Sequence, residues 1–167
     1  MKINHSMMSK ANKAISYYLV TCSLLLRTGE VIMAIPSFRL DHTMIRVADL
    51  EKSLDFYTRI LGMKLLRRND YPSGRFTNVF IGFGPENKTT TLELTHNWDT
   101  TEPYEKGAGY GHLAFNVNDV VSAMQYLEQE GVTVRSPAKP MNHGTRMLGF
   151  VYDPDGYIIE LNEPLNP

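Results

Sequence analysis

Two stretches of this chain repeat one another at an interval of 70 residues, and no other feature constrains its fold as much. "DHTMIRV", from Asp41 to Val47, and "GYGHLAFNV", from Gly109 to Val117, each hold a histidine, His42 and His112, in a run of strand-like character. Each run ends in a valine and reaches an aspartate two residues later, Asp49 and Asp119. An aspartate there caps a helix, because its carboxylate accepts the orphan amides of the first turn. Both are followed by apolar residues at helical spacing: Leu50, Leu54, Tyr57 and Leu61 in "LEKSLDFYTRILGM", then Val120, Met124 and Leu127 in "VVSAMQYLEQEGV". Gly62 and Gly131 stand where each helix must stop.

The parallel runs on to the end of each half. "MKLLRRND", "FTNVFIGFG" and "TTTLELTHN" follow the first helix, and "VTVRS", "MLGFVYD" and "YIIELNE" follow the second, with Pro- and Gly-containing turns between them, including a loop from Pro137 to Gly144. Each half is therefore predicted as strand, helix and three strands. Each last strand carries one glutamate between apolar neighbours, Glu93 and Glu160, so the carboxylate points away from the face its neighbours bury. Two copies of a unit too small for a good core are expected to pair about a pseudo-twofold axis. That pairing is expected to bring His42, Glu93, His112 and Glu160 together. Two imidazoles and two carboxylates suit a divalent ion of intermediate hardness, Ni²⁺, Co²⁺ or Zn²⁺.

Composition sets bounds. The 167 residues are enough for one domain with a sizeable core or for two tightly packed halves. A formal net charge of −1, with scattered basic residues, gives no nucleic-acid surface. Cys22 is the only cysteine, which excludes an intramolecular disulfide and makes a reducing compartment, the cytoplasm, the default. Residues 1–36 stand outside the repeat, as an extension to the domain of residues 37–167. Lys10 and Lys13 precede the apolar run "AISYYLVTCSLLL", which is too short to span a membrane and lacks a clear small-x-small cleavage site. Three readings stand open for it: translation from an upstream codon with Met33 as the true start, a tail, or an export signal.

The motifs "LDHTMIRVADLEKSLDFYTRILGMKLLRR", "FIGFGPE", "LELTHNW", "GYGHLAFNV" and "DPDGYIIELNE" agree in order and spacing with a known family. From about Phe38 to Glu163 the chain resembles glyoxalase I, of the vicinal-oxygen-chelate superfamily, in its compact bacterial type. The resemblance implies an α+β fold of two paired βαβββ modules forming curved mixed sheets, module one at about 38–98 and module two at about 109–163. It implies a homodimer with both sites at the interface, each taking His42 and Glu93 from one subunit and His112 and Glu160 from the other. One metal per site is implied, Ni²⁺ first, with Co²⁺ or Zn²⁺ as substitutes.

The reaction so implied isomerises the methylglyoxal–glutathione hemithioacetal to S-lactoylglutathione by proton transfer through a metal-bound enediolate, with Glu160 as the base. Substrate contacts are implied for Arg46, Asn97 and His112. The family's basic residue four positions before the second histidine is replaced by Ala108, and Lys139, Asn142, His143 and Arg146 lie in the loop expected to close over the site. His96 is expected to be an exposed histidine. Other chemistries share the fold. An extradiol dioxygenase needs only two histidines and one glutamate, an acyl-CoA epimerase uses the same proton chemistry, and metal-free resistance proteins bind ligands without any of the four.

Overall fold

The computed structural model describes residues 35–100 and 102–164. The extension and its three readings fall almost wholly outside the described residues. From Leu40 onward the chain forms two four-stranded sheets. In the first, β1 (His42–Arg46), β2 (Lys64–Tyr71), β3 (Phe76–Gly82) and β4 (Thr91–Asn97) lie in the order β1-β4-β3-β2. In the second, β5 (Leu113–Asn116), β6 (Val134–Pro140), β7 (Arg146–Tyr152) and β8 (Ile158–Pro164) lie in the order β5-β8-β7-β6. The first strand of each sheet pairs with the last in parallel, and the other pairings are antiparallel. This is the predicted architecture, a strand–helix–three-strand unit used twice.

Each helix begins where its cap predicts. Asp49 accepts the amide of Lys52 at 3.1 Å ahead of α1 (Leu50–Asp55), and Asp119 accepts the amide of Ser122 at 3.0 Å ahead of α2 (Val120–Gln129). The Lys52 amide holds the Asp49 carboxyl below its ordinary range, and Ser122 does the same for Asp119. Gly62 and Gly131 end the helical segments at φ 76° and 78°, a left-handed conformation that a side chain would strain. The first segment does not stay α-helical. From Phe56 to Ile60 it widens into a π turn, with the Leu61 amide reaching back to the Phe56 carbonyl at 3.0 Å. Thr58 returns its hydroxyl to the Leu54 carbonyl at 2.6 Å, a back-bond of the kind that bends helices.

Between Pro137 and Gly144 the expected loop is shorter than the sequence suggests. β6 carries Pro137 and Pro140 within it, and the turn proper spans only Met141 to Thr145. Proline is tolerated because β6 is the outermost strand of its sheet, where its missing N–H forfeits little, and the register against β7 shifts on both sides of Ser136.

The two modules share one apolar core. Ile45, Val47, Tyr57, Val79 and Leu94 of the first module join Val120, Leu127, Val151 and Ile159 of the second, all nearly inaccessible. Gly149 on β7 lets α2 approach, since a Cβ there would stand 2.7 Å from the Met124 sulfur and 3.2 Å from Val120 Cγ1. Polar contacts cross the seam as well. Tyr57 donates its hydroxyl to Asp153 Oδ2 at 2.7 Å, the Ala48 amide donates to Asp155 Oδ1 at 2.7 Å, and Ser53 donates to Asp155 Oδ2 at 2.9 Å. Asp153 Oδ1 takes the amides of Asp155 and Tyr157 at 3.0 and 2.7 Å. The "DPDG" turn is thus the clasp between the modules. Burial nevertheless pushes the Asp153 carboxyl up, against the pull of these donors. No helix among the described residues is long and apolar enough to cross a membrane.

Candidate metal centre

Alternation on the two sheets separates core from site. On β1, Ile45 is buried while His42, Met44 and Arg46 point to the other face, and on β4 Leu92 and Leu94 are buried on the core side while Glu93 points away from them. The register pairs Met44 with Glu93, and in the second sheet Ala114 with Glu160, so each histidine stands two residues before its glutamate's partner. The consequence is the same in both sheets: His42 Nε2 lies 3.1 Å from Glu93 Oε2, and His112 Nε2 lies 3.1 Å from Glu160 Oε2. A ring edge supports each histidine, with Phe80 at 5.4 Å from His42 and Phe150 at 5.9 Å from His112.

The two pairs do not join within the chain. Among the described residues no group of three or more His, Cys, Asp and Glu side chains converges to hold an ion. The expectation that pairing the repeats brings all four residues together is therefore corrected for the single chain. The reason is the seam: the end of β1 and the helical segment of the first module meet the Asp153–Tyr157 turn of the second on the core side, whereas the histidines and glutamates occupy the opposite faces.

Each pair sets an imidazole nitrogen against a carboxylate oxygen, an ion pair when the histidine is protonated. The His42 Nδ1 lies 3.0 Å from Asp41 Oδ2, and with the proton assigned there the Nε2 lone pair faces the Glu93 carboxylate. In that tautomer the two can share a cation, and with Nε2 protonated they form an ion pair instead. Carboxylate-to-histidine orientation of this kind is also how ligating imidazoles are held. Glu93 is fixed on its other oxygen: Oε1 accepts from Asn78 Nδ2 at 2.6 Å and from the Thr95 hydroxyl at 3.0 Å. Glu160 Oε1 accepts from Asn162 Nδ2 at 3.0 Å. Asn162 in turn accepts from Arg146 Nη1 at 2.9 Å.

The other expected residues are distributed over these faces. Arg46 is exposed at the end of β1, and Asn97 donates its amide to the Tyr104 hydroxyl at 2.9 Å. Arg46 and Tyr104 line one small recess with Met44 and Lys106. Lys139 lies in β6 and Arg146 opens β7, so of the four loop residues only Asn142 and His143 are in the turn. His96 is half-buried, not exposed: β4 stays regular through Asn97, turning His96 to the core side, where its Nδ1 lies 3.2 Å from the Val47 carbonyl. The supports Asn78, Thr95, Asn162, Phe80 and Phe150 escaped the sequence reading. The last two stand 70 residues apart, as the histidines do, and that interval was their available signal.

Residues 39–161 match the Glyoxalase/Bleomycin resistance protein/Dioxygenase superfamily. A lactoylglutathione lyase of Neisseria meningitidis is 58% identical over 73% of this chain and 88% of its own length. Among solved structures, the trypanothione-dependent glyoxalase I of Leishmania major is 45% identical, with a TM-score of 0.67 over 75% of this chain and 86% of that one. Glyoxalase I of Zea mays is 38% identical with a TM-score of 0.71 over 76% of this chain, which spans only 47% of the maize protein. Two βαβββ modules, a His–Glu pair on each, and identity over most of the domain lead to one assignment: the chain belongs to the glyoxalase superfamily and, within it, to the lactoylglutathione lyases.

Proposed function

We propose that this chain isomerises the hemithioacetal of methylglyoxal and glutathione to S-lactoylglutathione, at a site assembled from His42 and Glu93 of one copy and His112 and Glu160 of a second. The observation that carries the reading is the repeated pair, Nε2 and Oε2 at 3.1 Å in each module with no third such ligand converging on it among the described residues. Each pair is half of a four-donor set, and a homodimer supplies the other half twice. Two nitrogens and two carboxylate oxygens fit Ni²⁺, with Co²⁺ or Zn²⁺ as alternatives. When bound, the ion would supply Lewis-acid stabilisation of negative charge developing on the substrate oxygens.

The residues do the rest. His42 and His112 present Nε2, and Glu93 presents Oε2 while its Oε1 stays occupied by Asn78 and Thr95. Glu160 takes a proton from one carbon of the substrate and returns one to its neighbour, with Oε2 as the acting oxygen. Arg46 pairs a glutathione carboxylate through its planar fork, and Asn97, steadied by Tyr104, offers an amide to the same ligand. Such a substrate requires a thiol kept reduced, which supports a cytoplasmic setting for the reaction.

Thioester formation from methylglyoxal and glutathione, followed by absorbance with purified protein and Ni²⁺, Co²⁺ or Zn²⁺, tests the activity. The expected result is metal-dependent turnover, one ion bound per chain and a dimeric mass by sedimentation. No turnover with any of the three metals would overturn the reading.

A further inference from the structure

The two His–Glu pairs match in geometry, yet their surroundings do not. On β3, Asn78 stands opposite Thr95 of β4, and on β7, Leu148 stands at the equivalent place, opposite Asn162 of β8. Asn78 donates to Glu93 at 2.6 Å and lies 3.3 Å from the Thr95 hydroxyl, which itself donates to Glu93 at 3.0 Å. Asn78 and Thr95 thus give one carboxylate oxygen of Glu93 two side-chain donors, the single Thr95 proton going to Glu93 rather than to Asn78 Oδ1. Leu148 has no donor to offer in the place of Asn78. Among the described residues Glu160 Oε1 keeps one side-chain donor, Asn162, which is steered from outside by Arg146 at 2.9 Å. The Glu93 side chain is 11% exposed and that of Glu160 is 16% exposed, so solvent access does not make up the difference.

We propose that the middle strand of each sheet decides which carboxylate works as a fixed ligand and which as a mobile base: Asn78 tethers Glu93, and Leu148 leaves Glu160 free to swing. A carboxylate held by two donors on one oxygen can turn only by breaking both, whereas Glu160 pivots about the single Asn162 contact. Asn162 and Arg146 set the direction of that pivot. Asn78, Leu148 and Asn162 are positioning residues, acting through the glutamates. The proposal rests on the four-residue metal site proposed above.

Exchange of the two side chains tests it in the dimeric, metal-loaded protein. Leu148→Asn gives Glu160 the missing donor, and kcat is expected to fall roughly tenfold, as one hydrogen bond to a charged group allows, with KM changing less than about twofold. Its Ni²⁺ affinity, read by competition with a chromophoric chelator, is expected to hold or tighten. Asn78→Leu is expected to weaken Ni²⁺ binding roughly tenfold with a smaller loss of kcat at saturating metal. Leu148→Thr and Thr95→Val repeat each arm with smaller changes of shape, should the first variants fail to fold. A purely structural role would lower both readouts together, so the opposite ordering in the two variants is the decisive signature. Unchanged kcat in both Leu148 variants, or a greater kcat loss from altering Asn78 than Leu148, overturns the proposal. Unaltered Ni²⁺ uptake in His42→Ala and His112→Ala proteins would instead show that the metal site itself is misassigned, and the proposal falls with it.

Discussion

Module one and module two share a fold, a capping aspartate, a terminating glycine and a His–Glu pair, but they differ at neighbouring positions on the middle strand. Where β3 has Asn78 and Val79, β7 has Leu148 and Gly149. One substitution alters the site face and the other the helix face of the same strand. Repeats keep what the reaction needs in duplicate and diverge where the two copies perform different tasks. The His–Glu pair is duplicated, while carboxylate support and helix packing are not.

The sharpest break in that comparison comes from the glutamates. Glu160→Gln is expected to lower kcat by about 10³-fold while Ni²⁺ stays bound, the scale of losing a positioned proton acceptor. Glu93→Gln is expected to cost less turnover and more metal affinity. Steady-state kinetics beside metal analysis checks both, and equal losses would erase the distinction between the modules.

The seam provides a contrast to the site faces. Asp153→Ala removes the acceptor for Tyr57 and for two amides, and is expected to cost about 3 kcal/mol in denaturant unfolding, since buried donors are left unpaired. The isosteric Asp153→Asn adds a pH test. Because burial raises the folded-state value above the ordinary 3.8, ionised Asp153 is a cost at neutral pH. That cost is relieved as pH falls from the raised value towards 3.8, so the wild type is expected to gain on Asp153→Asn over this window in thermal unfolding. A difference independent of pH would deny the burial effect.

The helix faces carry the smallest expected effect. Gly149→Ala places a Cβ against Met124 and Val120 and is expected to destabilise by about 1–3 kcal/mol, near the lower figure where the flexible Met124 gives way. Val79→Ala, at the matching place in module one, opens space and is expected to cost a similar amount by leaving a cavity. A gain in stability from Gly149→Ala would mean that α2 has slack.

Much of this was legible from the chain alone. Asp49 and Asp119 cap both helices, Gly62 and Gly131 end them at positive φ, and each histidine meets its own glutamate through period-two alternation and the parallel register of first and last strands. What escaped depends on contacts between elements. A π turn needs the Thr58 back-bond and the tertiary packing around it, and strand pairing through Pro137 and Pro140 depends on β6 being an edge. The separation of the two pairs follows from which faces the seam buries. Local pattern shows that a residue leaves the core side, but not whether two such faces meet.

Two His–Glu pairs held apart in one chain give the proposed dimer a kinetic consequence. With each proposed site divided between copies, catalytic sites form by a second-order encounter, and their number falls faster than the protein concentration once the chain is diluted below its dimer dissociation constant. Specific activity then becomes a measure of expression level: a cell making little of this protein would have disproportionately little of the enzyme, and a metal ion bridging two copies would hold its own site together.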